Sequence, residues 1–342
     1  MQPKRVKDVT IKDIAEHLGI SHPTVSRALR DHPSIRPKTR VTVQAAAKEL
    51  GYIANSGARM LKRTHSELIG VIFPDVRNDF YSTTMSVLAA VFLEHGYKLV
   101  LATSEDDADT EFKHIHSLRE ARVAGVIIAP TVNLRDESIA LLAPIPTIQL
   151  LRHHSSLNAP TIKPDERASI ATAVQHLITQ GHQRIGFIGN SSTLSTGNDR
   201  AAGYLGALQA SSLKPDPSLL RQGPPRPHFG YQAMMELLNL TEPPSAVVLA
   251  SSELTLGALE AIQERRVRVP ENLALIGYHD PDWFKLWGAG ITCIRLPVKE
   301  MAIAAAMQLL DQLHAGTTRQ KATVSGKLDT DFKSELVLRG TA

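Results

Sequence analysis

Apolar and polar positions follow two different patterns along the chain. From residue 68 onward, short apolar runs recur, such as LIGVIF (68–73), GVIIAP (125–130) and LALIGY (273–278). Longer amphipathic stretches lie between them, among them YSTTMSVLAAVFLEHG (81–96). This alternation predicts parallel sheets with helices on both faces. Two such sets, divided near residue 163, predict two doubly wound lobes with a ligand crevice at the carboxyl ends of their strands.

The first fifty residues have a helical pattern instead. Thr10 is suited to cap a helix over IKDIAEHLG that ends at Gly19. Ser21 is suited to cap a second helix, which places Pro23 in its first turn. Amides of the first turn have no acceptor within the helix, so the missing amide hydrogen of proline costs no hydrogen bond there. A third helix is predicted within RPKTRVTVQAAAKELGY (36–52). Two short helices joined by a tight turn indicate a helix-turn-helix, whose second helix would enter the major groove of DNA.

Charge is distributed unevenly along the chain. The 342 residues include 38 Lys and Arg and 34 Asp and Glu, a net charge of +4. Residues 1–65 hold 13 of the basic and 5 of the acidic residues, so their net charge is +8 and that of the remainder is −4. A basic head on a mildly acidic body predicts that the head binds a polyanion.

Several classes of protein are disfavoured by what the sequence lacks. There is no signal peptide, no apolar run of membrane-spanning length, and only one cysteine, Cys293. These features predict a cytoplasmic protein without a membrane partner. Motifs of nucleophilic, phosphate-binding or zinc enzymes are absent, and paired histidines such as His114 and His116 lack further ligands at a suitable spacing. No catalytic residue, metal or cofactor is therefore predicted.

The segment VTIKDIAEHLGISHPTVSRALRDHPSIRPKTRVTVQAAAKELGYIANSGARMLK (9–62) resembles the DNA-binding head of the lactose-repressor/galactose-repressor (LacI/GalR) family of bacterial transcriptional regulators. The matches include TIKDIA, TVSRAL, ELGYIAN and ARMLK, and the resemblance continues through the body to ELVLRGTA at residues 335–342. It implies an all-α helix-turn-helix head followed by a periplasmic-binding-protein-like core of two lobes. The chain of such a core crosses between its lobes three times.

The resemblance also implies domain boundaries. We expect the helix-turn-helix head at residues 1–53, a hinge helix and linker at 54–65, and the effector-binding and dimerisation core at 66–342. Within that core we expect one lobe at about 66–163 and 296–320 and the other at about 164–295 and 321–340. The last two crossings would then fall near Arg295–Pro297 and in the 320s.

Candidate DNA contacts follow from the family's motif positions. Arg27 is the strongest of them, because a guanidinium can bind guanine O6 and N7 together. Leu61 matches a hinge leucine that is inserted into the minor groove, and covering local apolar surface is the alternative role for it. The full set of candidates is Thr10, Ile11, Ser21, His22, Pro23, Ser26, Arg27, Arg30, Arg36, Thr39, Asn55, Ala58 and Leu61.

Candidate effector contacts are the residues that match or replace cleft positions of the family. Leu151, Ser251 with Ser252, and His279 stand where acids or amides are common. Alternative roles remain open: a salt bridge for Arg200, a packed or helix-capping position for His279, and a core position for Trp283. The candidates are Phe80, Tyr81, Arg152, Arg200, Ser251, His279 and Trp283.

Loss of anions with retention of arginines predicts an electropositive cleft. We therefore expect an acidic effector, such as a sugar acid, another organic acid or a phosphosugar, with Arg200 as its main anchor. His279 would assist when protonated, so that binding tightens towards about pH 6.

These observations together predict a cytoplasmic transcriptional regulator of the repressor type. It would bind near-palindromic operator DNA as a homodimer, and a small effector in the cleft between the lobes would control it. A solute-binding protein and a sugar-modifying enzyme built on the same two-lobe core are the alternatives.

Overall fold

The computed structural model of the protein describes residues 9–52, 66–317 and 329–342. The chain divides into two compact units, Met1–His65 and Ser66–Ala342, which we call the head and the body. None of the described helices is long and apolar enough to cross a membrane.

The described part of the head consists of α1 (Ile11–Leu18), α2 (His22–Ala28) and α3 (Pro37–Glu49). Helix α1 begins with a capping box, in which the Asp13 amide donates to Thr10 Oγ1 and the Thr10 amide donates to Asp13 Oδ2 at 2.6 Å. It ends at Gly19, whose φ of +65° a residue with a side chain rarely adopts. The predicted first helix is confirmed.

Helix α2 starts where the proline predicts. Pro23 lies in its first turn, and Ser21 occupies the N-cap position. Ser21 does not cap the helix with its side chain, however, because its hydroxyl is hydrogen-bonded to the Thr24 hydroxyl at 2.8 Å. The predicted position of Ser21 is therefore correct and its predicted contact is wrong.

One small apolar cluster holds the head together. Ile14 of α1, Val25 of α2 and Val43 of α3 are fully buried, and Ala46 and Ala47 complete the α3 face. Each helix is too short to be stable alone in water, so burial of these side chains accounts for most of the stability of the head. The helix-turn-helix with a supporting third helix is confirmed.

The body contains two six-stranded sheets that define its two lobes. The first has the strand order β11-β5-β4-β3-β1-β2 and the second β12-β10-β9-β8-β6-β7. All pairs are parallel except the antiparallel pair β10–β12. The strands are β1 (Leu68–Phe73), β2 (Lys98–Thr103), β3 (Gly125–Ile128), β4 (Thr147–Leu150), β5 (Thr161–Pro164), β6 (Ile185–Asn190), β7 (Leu220–Gly223), β8 (Ala246–Leu249), β9 (Ala274–Tyr278), β10 (Cys293–Arg295), β11 (Thr330–Phe332) and β12 (Glu335–Val337).

Helices connect most of the consecutive strands and cover both faces of the sheets, as in doubly wound folds. Central strands such as β3, β8 and β9 are buried along their whole length, which explains their unbroken apolar sequences. The predicted fold class is thereby confirmed. The helices of the body are α4 (Asp79–Glu94), α5 (Ala108–Glu120), α6 (Asp136–Leu142), α7 (Glu166–Thr179), α8 (Ser195–Ala210), α9 (Pro227–Leu238), α10 (Ser252–Glu264) and α11 (Val298–Thr317), with 3₁₀ turns at Pro217–Leu219 and Asp282–Lys285.

The chain passes between the sheets at three places. It leaves the first sheet after β5, returns after β10 to form α11 against the first lobe, and leaves again between β11 and β12. The predicted crossing in the 320s is wrong, because Thr330 pairs with Ile162 and Phe332 with Pro164 in the first sheet. The last crossing therefore lies at residues 333–334. The three-residue strand β11 has too little apolar pattern to be recognised in the sequence.

Candidate functional sites

The outer face of α2 and the residues around it form the candidate nucleic-acid surface. Ser21, His22, Pro23, Arg27, Arg30 and Arg36 are exposed, whereas Ser26 and Thr39 are half-buried. Arg30 Nη2 donates to Ser26 Oγ at 2.5 Å, which fixes one guanidinium beside the helix. Among the described residues the Arg27 guanidinium has no hydrogen-bond or ion-pair partner, so its charge is available to a bound polyanion.

Two of the DNA-contact candidates, Thr10 and Ile11, lie at the start of α1 and stabilise it. The amide and hydroxyl of Thr10 both donate to the Asp13 carboxylate, and Ile11 packs partly against the head core. Their contacts with DNA stay a prediction. The hinge candidates Asn55, Ala58 and Leu61 lie outside the described residues.

A cleft opens between the two lobes where the carboxyl ends of strands from both sheets face each other. Every lining residue lies at or just beyond such a strand end, or in the first turns of the following helix, as expected for doubly wound folds. The lining residues are Pro74, Asp75, Asn78, Phe80, Tyr81, Asp106, Leu151, Arg152, Asn190, Thr196, Arg200, Pro225, Arg226, Ser251, Ser252, Glu253, Tyr278, His279 and Leu296.

One wall of the cleft is aromatic. Phe80 and Tyr81, in the first turn of α4, are nearly buried and meet edge to face with ring centroids 5.2 Å apart. The His279 ring lies 6.3 Å from Phe80 across the cleft, also at a steep angle. Phe80 and Tyr81, both predicted effector contacts, therefore line the cleft and offer apolar ring surface to a ligand.

Arg200 lies at the floor of the cleft and is only 3% exposed. Its Nε and Nη2 donate to the Glu166 carboxylate, each at 2.7 Å, and Nη1 donates to the Ala250 carbonyl at 2.6 Å. The Tyr278 ring lies 4.0 Å below the guanidinium, and the Tyr278 hydroxyl donates to the same carboxylate. Arg200 is thus held by a salt bridge to a neighbouring acid rather than left free to bind an acidic effector.

The other arginines of the cleft are also paired. The buried Arg152 donates to Asp106, and Arg226 Nη1 donates to Asp75 Oδ2 at 2.6 Å. Asp106 and Asp75 themselves line the cleft, as does Glu253. The expectation of an electropositive cleft is therefore wrong. This chain lacks acids at some cleft positions where the family commonly has them, but acids at other strand ends balance the charge of the arginines.

His279 is neutral in this environment. Burial lowers its pKa to about 4, and its Nδ1 atom has no partner among the described residues. The residue has a φ of +74°, a left-handed conformation in which His is enriched compared with most side chains. A group with this pKa does not become protonated near pH 6. The predicted tightening of effector binding towards that pH assumed a protonated His279, and this assumption is wrong.

Uncharged polar groups complete the lining. Ser251 caps α10 by accepting from the Leu254 amide at 3.2 Å, which leaves its hydroxyl proton for another partner. Asn190 is 5% exposed, and its Oδ1 atom has no partner among the described residues. A buried amide oxygen without a partner favours a bound molecule that donates to it.

Trp283 lies outside the cleft lining. Its ring packs edge to face on Phe284, 4.5 Å between centroids, in the core of the second lobe. The alternative core position is therefore the observed one.

Five polar lining residues outside the sequence candidates share one signal that could have found them. Each lies within four residues of the carboxyl end of a predicted apolar run, where polar residues of parallel sheets converge. They are Asp75, Asp106, Asn190, Glu253 and Tyr278.

Comparison with known proteins identifies the family. A model of bacterial regulatory proteins of the lacI family matches residues 10–55, and a periplasmic binding protein-like domain matches residues 174–330. The HTH-type transcriptional repressor CytR of Escherichia coli (strain K12) is 30% identical over 342 residues, which cover 99% of this chain and 97% of that protein. The chain belongs to the LacI family. Its head is the DNA-binding domain of the family.

Solved structures of LacI-family members have the same fold over nearly the whole chain. The Lac repressor dimer bound to operator and the anti-inducer ONPF superimposes with a TM-score of 0.85 at 26% identity, covering 98% of this chain and 99% of that one. The complex of the transcriptional regulator CelR with cellobiose gives a TM-score of 0.71 at 25% identity, covering 98% and 100%.

Proposed function

We propose that this LacI-family protein is a cytoplasmic transcriptional repressor that binds near-palindromic operator DNA as a homodimer. The observation that carries the proposal is the exposed face of α2, with Arg27 unpaired among the described residues, inside a domain of the family's DNA-binding type. The operator-bound Lac repressor dimer and the repressor CytR support both the DNA partner and the dimer. A dimer presents two such helices, one to each half of a palindrome.

The role of each head residue follows from its position. Pro23 has no amide proton to donate and would contact a thymine methyl, whereas Arg27 would bind a guanine through two hydrogen bonds. Arg30 and Arg36, which follow α2 in the chain, would bind phosphates and hold the helix in register. Asn55, Ala58 and Leu61 would form the hinge that orders on the minor groove.

Substitution of Arg27 tests this proposal. We would select an operator from random DNA with the wild-type protein and measure affinity by fluorescence anisotropy. Arg27→Ala should weaken operator binding by on the order of 1–3 kcal/mol and relax preference at one base position. Arg268→Ala, an exposed arginine of the body, is the matched control and should bind like the wild type.

Other results would overturn parts of the proposal. Equal losses on operator and on random DNA would reduce Arg27 to a phosphate contact. A wild-type protein with no affinity for any duplex would revive the solute-binding alternative. Affinity for DNA should also fall steeply with salt, because bound phosphates release counterions.

We further infer that the effector is a neutral molecule rich in hydroxyl groups. The three cleft arginines already have acidic partners, so a second carboxylate or phosphate would compete with a bond in place. Two cleft atoms have no partner among the described residues, His279 Nδ1 and Asn190 Oδ1. A ligand hydroxyl can donate to the Asn190 amide oxygen, and it can donate to or accept from the neutral imidazole. The cellobiose complex of CelR, a neutral sugar bound by a relative, supports the same class.

Calorimetry with matched pairs distinguishes this effector from the acidic one. Neutral sugars would be compared with the corresponding sugar acids and sugar phosphates, one pair at a time. We expect the neutral member to bind more tightly in any pair that binds at all. Tighter binding of the acid would restore the acidic effector and require Arg152, Arg200 or Arg226 to exchange its partner.

A further inference from the structure

Two arginines share one carboxylate at the mouth of the cleft. Asp75 Oδ2 accepts from Arg226 Nη1 at 2.6 Å and from Arg77 Nη2 at 2.6 Å. Arg77 Nε reaches both carboxylate oxygens, at 3.0 and 3.1 Å, and the Arg77 amide donates to Oδ1 at 3.0 Å. Asp75 is therefore held firmly by its neighbour two residues along the chain and contacts Arg226 through one bond.

The two arginines belong to different lobes. Asp75 and Arg77 lie in the loop between β1 and α4 of the first lobe, whereas Arg226 is the residue before α9 of the second lobe. The contact with Arg226 thus bridges the cleft, and the contact with Arg77 does not.

We propose that Asp75 and Arg226 form an interlobe clasp that favours the closed cleft, and that Arg226 is the positioning residue through which effector entry and release are controlled. This inference rests on the proposed effector-controlled function, since it assigns regulation to the same cleft. Relative rotation of the lobes about the crossings at residues 165, 296–297 and 333–334 would break this contact, because a 2.6 Å hydrogen bond tolerates little separation.

The surroundings make the clasp reversible. Arg226 and Asp75 side chains are 39% and 21% exposed, so water replaces the lost contact when the lobes part. Asp75 would keep its hydrogen bonds to Arg77 after the cleft opens, so its carboxylate would still have a cationic partner. Exposed ion pairs of this kind contribute little free energy and are weakened by salt. The clasp therefore biases an equilibrium instead of locking it.

Glu253 gives Arg226 a second acid in the open state. It lies in the first turn of α10, on the same lobe as Arg226, and lines the cleft. Arg226 and Arg77 both act on its carboxyl electrostatically, as does Asp75 with the opposite sign. Exchange of Arg226 between Asp75 and Glu253 would keep its charge paired in both states and lower the free-energy difference between them.

The distance between the lobes tests the clasp without any effector. Spin labels would be attached after Lys113→Cys on α5 and Gln232→Cys on α9, both exposed helical positions. The native Cys293 is buried and stays unlabelled. Labelled protein would be diluted with unlabelled protein, so that only distances within one chain are measured by double electron–electron resonance.

We expect Arg226→Ala to shift the distance distribution several ångströms to longer values. Arg77→Ala is the matched control: it removes more bonds from the same carboxylate but none between the lobes, and should leave the distribution unchanged. Arg226→Lys should restore part of the closed population, which a merely structural defect would not do. Molar salt should move the wild type towards the Arg226→Ala distribution.

Two outcomes would overturn the clasp: identical distributions for Arg226→Ala and wild type, or equal opening in Arg77→Ala. Neither bears on the head, because operator discrimination by Arg27 is measured separately. Failure of the clasp and failure of the proposed DNA-binding function are thus distinguishable.

Discussion

Arginines in the head and in the cleft face opposite environments. The Arg27 guanidinium on α2 has no partner among the described residues, and the residue is exposed. Arg200 is 3% exposed, and its guanidinium contacts Glu166, Ala250 and Tyr278. The same guanidinium is available to an external anion in one place and is part of the internal framework in the other. The difference shows that a charged residue at a family's ligand position is informative only together with its neighbours.

The largest expected effect concerns the buried arginine. Arg200→Met should lower the free energy of unfolding by about 3–5 kcal/mol, because it leaves the buried Glu166 charge without its cationic partner. Urea unfolding followed by circular dichroism measures this. The double variant Glu166→Gln with Arg200→Met should recover part of the loss. Arg77 has a side chain that is 80% exposed, so Arg77→Met should change the free energy of unfolding little. A loss as large as that of Arg200→Met would contradict the difference between buried and exposed arginines.

The second prediction concerns His279 and pH. Its pKa is about 4 in the folded protein and about 6.5 unfolded, so the unfolded state binds more protons between these values. Stability is therefore complete above pH 6.5 and falls as the pH drops towards 4, by about 3 kcal/mol in total for this group.

Removing the imidazole should flatten that slope. His279→Asn keeps a side chain that tolerates the left-handed backbone and does not titrate. Its unfolding free energy, measured from pH 7 to 4.5, should fall less than that of the wild type. His228→Asn, at an exposed position of α9, should retain the full slope. An unchanged slope in His279→Asn would show that this residue is protonated in the folded protein.

The smallest effect is expected at the start of α1. Thr10→Ala removes the capping box and should destabilise the head by ~1 kcal/mol, whereas Thr10→Ser should retain most of the stability. Hydrogen exchange of the α1 amides in the full chain measures this locally. Loss of operator affinity in Thr10→Ala with unchanged amide protection would instead indicate a direct contact between Thr10 and DNA.

Most of the fold could be predicted from the sequence, because its signals are local. The four residues of β8 are all apolar and buried, and Pro23 indicates the start of α2 within one turn. Strand β11 escaped prediction because it has only three residues, of which Phe332 alone is apolar. The pairing of Thr330 with Ile162 joins segments 168 residues apart, and no local pattern records such a contact.

The position of the candidate cleft could be predicted from the sequence, but its charge could not. Phe80, Arg200 and His279 all line it, since residues at strand ends converge. The neutralising acids were missed because they are set by tertiary packing. Glu166 lies 34 positions before Arg200 and meets it only through the packing of α7 on α8. Burial of His279, which decides its protonation, likewise depends on the whole cleft.

The placement of β11 and β12 has a bearing on synthesis of the protein. Each is the edge strand of a different sheet, and both fall within residues 329–342. Thr341 adds two buried bonds to the second sheet, donating to the Leu275 carbonyl and accepting from the Thr292 amide, each at 2.9 Å. Although a nascent chain usually folds domain by domain from its N-terminus, neither lobe here can complete its sheet until this segment leaves the ribosome. The head can thus fold before this segment is synthesised, whereas the two lobes complete their sheets at the same stage, when residues 329–342 emerge.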